Sequence, residues 1–362
     1  MVWLYRKSLT INSSLTPGAL TNFPLYVSTA ADSDLTAHAQ ADGDDIAFFA
    51  SDGTTQLEHE LESYVTGTLR AHVLIPSLAA TGNPVIYMYY GDAGLGAQED
   101  PASVWVSSYV AVYHLGENPG GTAPQMLDST SNARHATANG GMVSGDSVAA
   151  KIGNGLTFNG EHLTCPNAIM STLSGAATWQ MSCWLQPSTA TTNYYIMGHG
   201  QPTGTAGFQG FNLAYRGDIA TDPMRFFIHN GTDTQTTVTV NGAGDLSTQM
   251  NHLVMQVTRA GNVEFFVNDT SIGTADISAE NGGSIYDSGR DLMIARQASA
   301  SATSQYVGIL DEIRFSTGLR NSDWRTAEYN NQNNPGTFIT IGSEESLGGS
   351  ATAASYYYRM SA

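Results

Sequence analysis

Basic residues are scarce in this chain. Lys and Arg total 14 of 362 residues against 32 Asp and Glu, a net charge of −18, so a phosphate backbone is repelled and no local basic cluster reverses the sign. Nucleic acid is excluded as a partner. Cysteine is nearly absent: Cys165 and Cys183 cannot build a disulfide framework, and one bridge and two buried thiols stay equally open. No apolar run approaches the ~18 residues of a membrane span, which argues against membrane insertion. The opening residues, Met1-Val2-Trp3-Leu4-Tyr5-Arg6-Lys7, lack a basic n-region and an apolar stretch, so no secretion signal is expected. Export would then need another route, such as assembly into a particle released by lysis. With 13% charged residues and 38 Gly, amid dense Thr, Ser and Asn, the composition suits short strands and tight turns better than helices. It predicts an all-β protein with length enough for two domains.

From Trp3 to Tyr90 apolar residues alternate in bursts: Leu9 and Ile11; Phe23, Leu25 and Val27; Ile46 and Phe48; Leu69, Ala71, Val73 and Ile75; Val85, Tyr87 and Tyr89. Period-2 spacing between Gly, Asn, Asp and Pro predicts at least five strands and a small β-sandwich at 1–92. The segments Trp3-x-Tyr5-Arg6-Lys7, Asn22-Phe23-Pro24-Leu25, Asp42-Gly43-Asp44-Asp45-Ile46-x-Phe48 and Tyr87-x-Tyr89-Tyr90-Gly91 resemble a bacterial and phage domain family of unassigned function that often precedes laminin-G-like modules. Residues 93–103, with Gly94, Gly96 and Pro101, have linker composition.

A second β region follows, expected over 104–345. Asp128-Ser129-Thr130-Ser131-Asn132, Gly155-Leu156-Thr157-Phe158-Asn159-Gly160 and Trp179-Gln180-Met181-Ser182-Cys183-Trp184-Leu185 come in that order. A hairpin follows from His252 to Asp269, turning at Arg259-Ala260-Gly261-Asn262. Gly308-Ile309-Leu310-Asp311-Glu312-Ile313-Arg314-Phe315-Ser316 reads as a closing strand. Ser322 is placed to cap one short helix, which Asn330 to Pro335 should stop. The succession resembles a laminin-G-like, concanavalin-A-like jelly roll. The expected fold class is therefore two tandem β-sandwiches, the second such a jelly roll with one short C-terminal helix. Residues 346–362, containing Tyr356-Tyr357-Tyr358-Arg359, read as a flexible aromatic tail: a docking tag for a neighbouring subunit or a frayed end.

Three chemistries follow. Calcium takes six to eight oxygen ligands; Asp128, Ser131 and Asn132 supply such oxygens from one loop, and the resemblance implies that Asp311 meets it from the closing strand. Alternatively Asp128 caps its own turn and Asp311 pairs with Arg314 or Arg134. The nine histidines lack zinc spacing. Hydrolysis of a glycoside needs two flanking carboxyls, but Asp311 and Glu312 are adjacent and so expected on opposite faces, while Glu58-His59-Glu60 reads as an exposed strand face. Glycan binding needs aromatic planes beside polar side chains. Tyr194, Tyr195, His199, Phe208 and Tyr215, in a Gly-rich segment, are the candidates, unless Tyr195, Phe211 and Tyr215 alternate into the core. The expected function is non-catalytic glycan binding, adhesion or assembly on an extracellular surface, in a phage tail-fibre or head-surface protein. Its partners would be a cell-surface glycan, other virion or surface proteins, and further copies of itself. The alternatives are a concanavalin-A-like glycoside hydrolase and a bacterial envelope adhesin.

Overall fold

The computed structural model describes residues 3–106, 108–188, 193–200, 209–216, 224–232, 235–242, 244–297 and 305–348. The chain divides into two compact units: the residues up to Val104 together with those from Asn333 onward, and Trp105–Gln332.

The first unit begins with strands β1 (Tyr5–Ile11), β2 (Leu20–Ser28), β3 (Ala47–Phe49), β4 (Gln56–Leu57), β5 (His59–Val65), β6 (Thr68–Leu78) and β7 (Val85–Tyr90), and helices α1 (Ser33–His38) and α2 (Pro101–Val104). Strands β2, β6 and β5 form one antiparallel sheet in the order β2-β6-β5. The alternating residues Phe23, Leu25, Val27, Leu69, Ala71 and Val73 are all buried, as the period-2 pattern requires. Asp32 caps α1, accepting from the amides of Asp34 and Leu35 while Lys7 Nζ lies 2.6 Å from its carboxylate. Two expectations change here. His59 and Glu60 are buried rather than exposed; His59 Nε2 lies 3.1 Å from the Ile46 carbonyl, and burial lowers its pKa. The supposed linker is not free either, because the Leu61 amide donates to Glu99 at 2.7 Å and the Asp100 amide to the His59 carbonyl at 2.9 Å.

The second unit comprises β8 (Tyr109–Tyr113), β9 (Thr137–Asn139), β10 (Ser147–Ala149), β11 (Asn154–Asn159), β12 (His162–Cys165), α3 (Ala168–Gly175), β13 (Thr178–Pro187), β14 (Asn193–Gly200) and β15 (Gln209–Arg216). It continues with β16 (Met224–Asn230), β17 (Thr236–Val240), β18 (Asn251–Thr258), β19 (Asn262–Val267), β20 (Thr270–Asp276), β21 (Leu292–Ile294), β22 (Val307–Thr317) and α4 (Ser322–Asn333). One antiparallel sheet runs β10-β11-β22-β13-β18-β19-β20 with β8 also on β22; the other runs β17-β16-β15-β14-β21-β12-β9. The core contains Phe158, Trp179, Phe211, Phe226, Phe265 and Phe315, all fully buried. Cys165 and Cys183 are free thiols in this core, and burial pushes both well above the ordinary thiol range. Neither is primed for reaction.

Helix α4 lies on the outer face of the eight-stranded sheet and is held by polar contacts. Trp184 donates its indole N–H to Gln332 at 2.6 Å, Arg314 donates to Glu328 at 2.8 Å, and Gln256 reaches the Arg320 carbonyl at 2.6 Å. The N-cap is Asn321 rather than Ser322: its Oδ1 accepts from the Trp324 amide at 2.9 Å. The helix also continues through Asn330 to Asn333 before Pro335 ends it, since the buried contacts of Asn331 and Gln332 outweigh the weak propensity of Asn.

After α5 (Pro335–Phe338) the last strand, β23 (Ile339–Ser346), rejoins the first unit. It pairs with β1 from Ile11↔Ile339 to Tyr5↔Ser346 and completes the five-stranded sheet β23-β1-β7-β3-β4. The jelly roll therefore ends near Gln332 rather than 345, and the first unit is discontinuous in sequence. Residues 349–362, with the tyrosine cluster, lie outside the described residues.

Candidate functional site

The seven-stranded sheet of the second unit places a cross-strand row on its outer face. Register puts Thr137, Thr164, Met293, Gly198, Asn212, Phe227 and Thr237 directly opposite one another in succession, a line about 29 Å long at ~4.8 Å per strand. The next row brings Tyr195, Ala214, Arg225 and Thr239 into line. A bulge between Tyr195 and Met197 makes this arrangement. Ile196 and Met197 both enter the core, so Tyr195 and Gly198 fall on the outer side.

Three side chains on these rows suit recognition. The rings of Tyr195 and Phe227, both half-buried, stand 6.2 Å apart at 40°. The Arg225 guanidinium lies 5.5 Å from the Phe227 ring centre, and its Nε donates to Thr239 Oγ1 at 3.4 Å. Burial raises the Tyr195 pKa and Arg225 partly offsets it, so the phenol stays neutral and able to donate. Asn212, 1% exposed, keeps an Oδ1 with no hydrogen-bond partner. None of the seven strands contains Asp or Glu.

The expected aromatic set divides. Tyr195 faces outward as proposed. Tyr194 packs against the core, 6.3 Å and edge-on to Tyr306, and accepts from Ser188 Oγ at 3.4 Å. Tyr215 is a core residue, 2% exposed, whose hydroxyl accepts from the Leu246 amide at 3.3 Å. His199 is fully buried and stacks parallel to Tyr286 at 6.0 Å. Its Nε2 accepts from the Asp287 amide at 3.0 Å, and burial lowers its pKa to about 4. It anchors a loop and is closed to ligand. Phe208 lies outside the described residues. Arg225 and Phe227 lie on regular strands and so escape a reading based on Gly-rich loop composition. The signal available was Arg225-Phe226-Phe227-Ile228, where period 2 must send one Phe of the pair outward.

The expected calcium ligands have other duties. Asp128 Oδ1 accepts from the amides of Val112 and Thr130, both at 3.0 Å. Its Oδ2 accepts from Thr130 Oγ1 at 3.0 Å and the Arg134 amide at 2.8 Å. Those four bonds use the roughly four lone-pair directions of a carboxylate. Asn132 turns its Nδ2 inward to the Val110 carbonyl at 3.2 Å, and Ser131 is exposed. Asp311 Oδ2 accepts from the Ile152 amide at 2.8 Å. It lies three residues along β22 from Arg314, the partner of Val112 in register, which is roughly 10 Å from the level of Asp128. The geometry gives Asp128 the turn-capping role.

Asp311 and Glu312 are not on opposite faces. Register shifts between Ser182 and Trp184, Glu312 takes a left-handed conformation at φ 54°, and the core positions are Leu310 and Ile313. The bulge thus sends both intervening carboxylates to the same outer side. Glu312 meets His114 Nδ1 and Arg314, and Arg314 packs 4.7 Å over the Trp105 ring. These carboxylates hold the closing strand in place.

Two antiparallel sheets stacked around one core define the second unit as a concanavalin-A-like jelly roll. Residues 158–324 match the family described as the concanavalin A-like lectin/glucanases superfamily, of laminin-G type, and residues 42–118 match a domain of unknown function, DUF2341. The chain carries a laminin-G-like domain preceded by that domain, and both resemblances read from the sequence hold. No curated protein matches the sequence. Among solved structures, the receptor-binding domain of botulinum neurotoxin mosaic serotype C/D is 10% identical, with 62% of this chain and 51% of that chain covered at a TM-score of 0.44. The binding domain of Paraclostridial mosquitocidal protein 1 is 10% identical, covering 62% and 52% at 0.46. The chain spans about half the length of these structures, and likeness at this level carries nothing about function.

Proposed function

We propose that this protein is a non-catalytic glycan-binding module displayed on an extracellular surface. The observation that carries the reading is the outer face of the seven-stranded sheet, where Tyr195 and Phe227 stand 6.2 Å apart beside Arg225. Aromatic planes take the apolar faces of sugar rings, and a guanidinium group reads hydroxyls. The matched superfamily covers lectins and glucanases; the lack of any acidic residue on the seven strands favours the lectin side, because hydrolysis needs two carboxyls astride the bond. The first unit's resemblance to a bacterial and phage domain favours a virion setting, as a tail-fibre or head-surface protein. A glycan array and a reducing-end assay on the same polysaccharides test the reading: binding without new reducing ends is expected, and release of reducing ends defeats it. Purified particles holding the protein at fixed copy number would establish the setting; its absence from particles would refute it.

A further inference from the structure

We propose that the outer face of the seven-stranded sheet takes an acidic glycan, with a carboxylate or sulfate of that glycan held by Arg296 and a sugar ring laid on Tyr195; this rests on the glycan-binding reading above. Continuing the register of β21 on β14 one step past the Ala295 amide, which donates to the Ile196 carbonyl at 2.7 Å, sets Arg296 opposite Tyr195. Ile294 and Ala295 both enter the core, with Ala295 at φ 65°, as Ile196 and Met197 do on the neighbouring strand. The two irregularities bring Arg296 and Tyr195 out on the same side.

Arg296 is half-buried and has a basic neighbour in place of a counterion. Its Nη1 lies 3.4 Å from His162 Nε2. Burial and then the Arg296 charge hold the His162 pKa below the ordinary histidine value, so that ring stays neutral and accepts. Among the described residues no carboxylate pairs with Arg296. Glu161, next to His162, turns to the Asn159 amide at 2.7 Å. Arg225 lies three strands further along the row, about 14 Å away at the usual strand spacing, and no Asp or Glu stands on the seven strands. The planar guanidinium fork matches two oxygens of a carboxylate or sulfate. Two cations on one row with an aromatic ring between them suit a repeating acidic chain, which the rest of a protein of net charge −18 repels.

The test uses the full chain, with calorimetric titration of an oligogalacturonate, a sulfated galactan oligosaccharide and a neutral galactan oligosaccharide of matching length, each at low and high salt, and with melts in parallel. At least one acidic ligand should bind about tenfold or more tighter than the neutral one, and salt should weaken it; the tighter of the two acidic ligands identifies the anionic group. Arg296→Gln should reduce that affinity about tenfold or more with a melting temperature close to that of the parent, and Arg296→Lys, which keeps the charge without the fork, should fall between. If Arg296→Gln does not fold, Arg296→Lys and the salt dependence of the unaltered protein decide. Acidic-glycan binding that both substitutions leave unchanged overturns the role of Arg296. Neutral galactan bound as tightly as the acidic ligands at both salt levels overturns the ligand class; either result leaves the glycan-binding reading standing. Binding of no sugar by the unaltered protein overturns both.

Discussion

Arg314 on β22 donates to Glu328 on α4 at 2.8 Å, with both side chains buried. Burial disfavours the charge on Arg314, but Glu312 and Glu328 outweigh it and the guanidinium is held above its ordinary pKa. Removing Glu328 leaves Arg314 held by Glu312 alone and one buried guanidinium N–H unmet, which costs about 1–3 kcal/mol. Glu328→Ala should lower unfolding stability by that amount in urea titrations. A loss under about 1 kcal/mol would show that water replaces the carboxylate and that α4 is held by its other contacts.

Asp128 should behave as a structural cap. Asp128→Ala leaves the amides of Val112, Thr130 and Arg134 without their acceptor, and at about 1–3 kcal/mol for each unmet buried group the loss should be several kcal/mol. Chelation separates this from a metal site, because an ion bound only to the native state raises stability by mass action. Melts with and without EDTA should coincide; a drop with EDTA that calcium reverses would restore Asp128 as a ligand.

Acid should weaken the second unit through two buried histidines. Burial lowers the pKa of both His199 and His252 to about 4, below the ~6.5 of an unfolded chain. The unfolded chain therefore takes up protons first, so stability is complete above about pH 6.5 and falls as pH drops toward 4, by an order of 2–3 kcal/mol for each histidine. His252 lies 5.1 Å from Trp184 and 6.1 Å from Tyr329, ring to ring, so His252→Phe should fold and reduce the slope of stability against pH in that window. An unaltered slope would assign the acid sensitivity to other groups.

The all-β class, the closing strand and the helix after it were legible because period-2 alternation and capping chemistry are local. What escaped the sequence is non-local or turns on a single residue. The bulge at Glu312 reverses the phase of alternation without any Gly or Pro to mark it, so Asp311 and Glu312 share a side. The bulge after Tyr195 does the same on β14, where Ile196 and Met197 both turn into the core. β23 reads as one more strand of the jelly roll, and only its pairing with β1, over 300 residues away in the chain, returns it to the first unit. His199 has the composition of a loop ligand, yet its ring closes onto Tyr286 in a contact that sequence spacing does not encode.

The most direct measurement of the central claim is calorimetric titration of an array-selected glycan into the unaltered protein and into Tyr195→Ala and Phe227→Ala. Each ring offers about 0.5–1.5 kcal/mol beyond its buried area, so each substitution should weaken binding about tenfold with a melting temperature close to that of the parent. Glycan binding that is indifferent to both substitutions would contradict the account, because the ligand would then sit somewhere other than the outer face of this sheet.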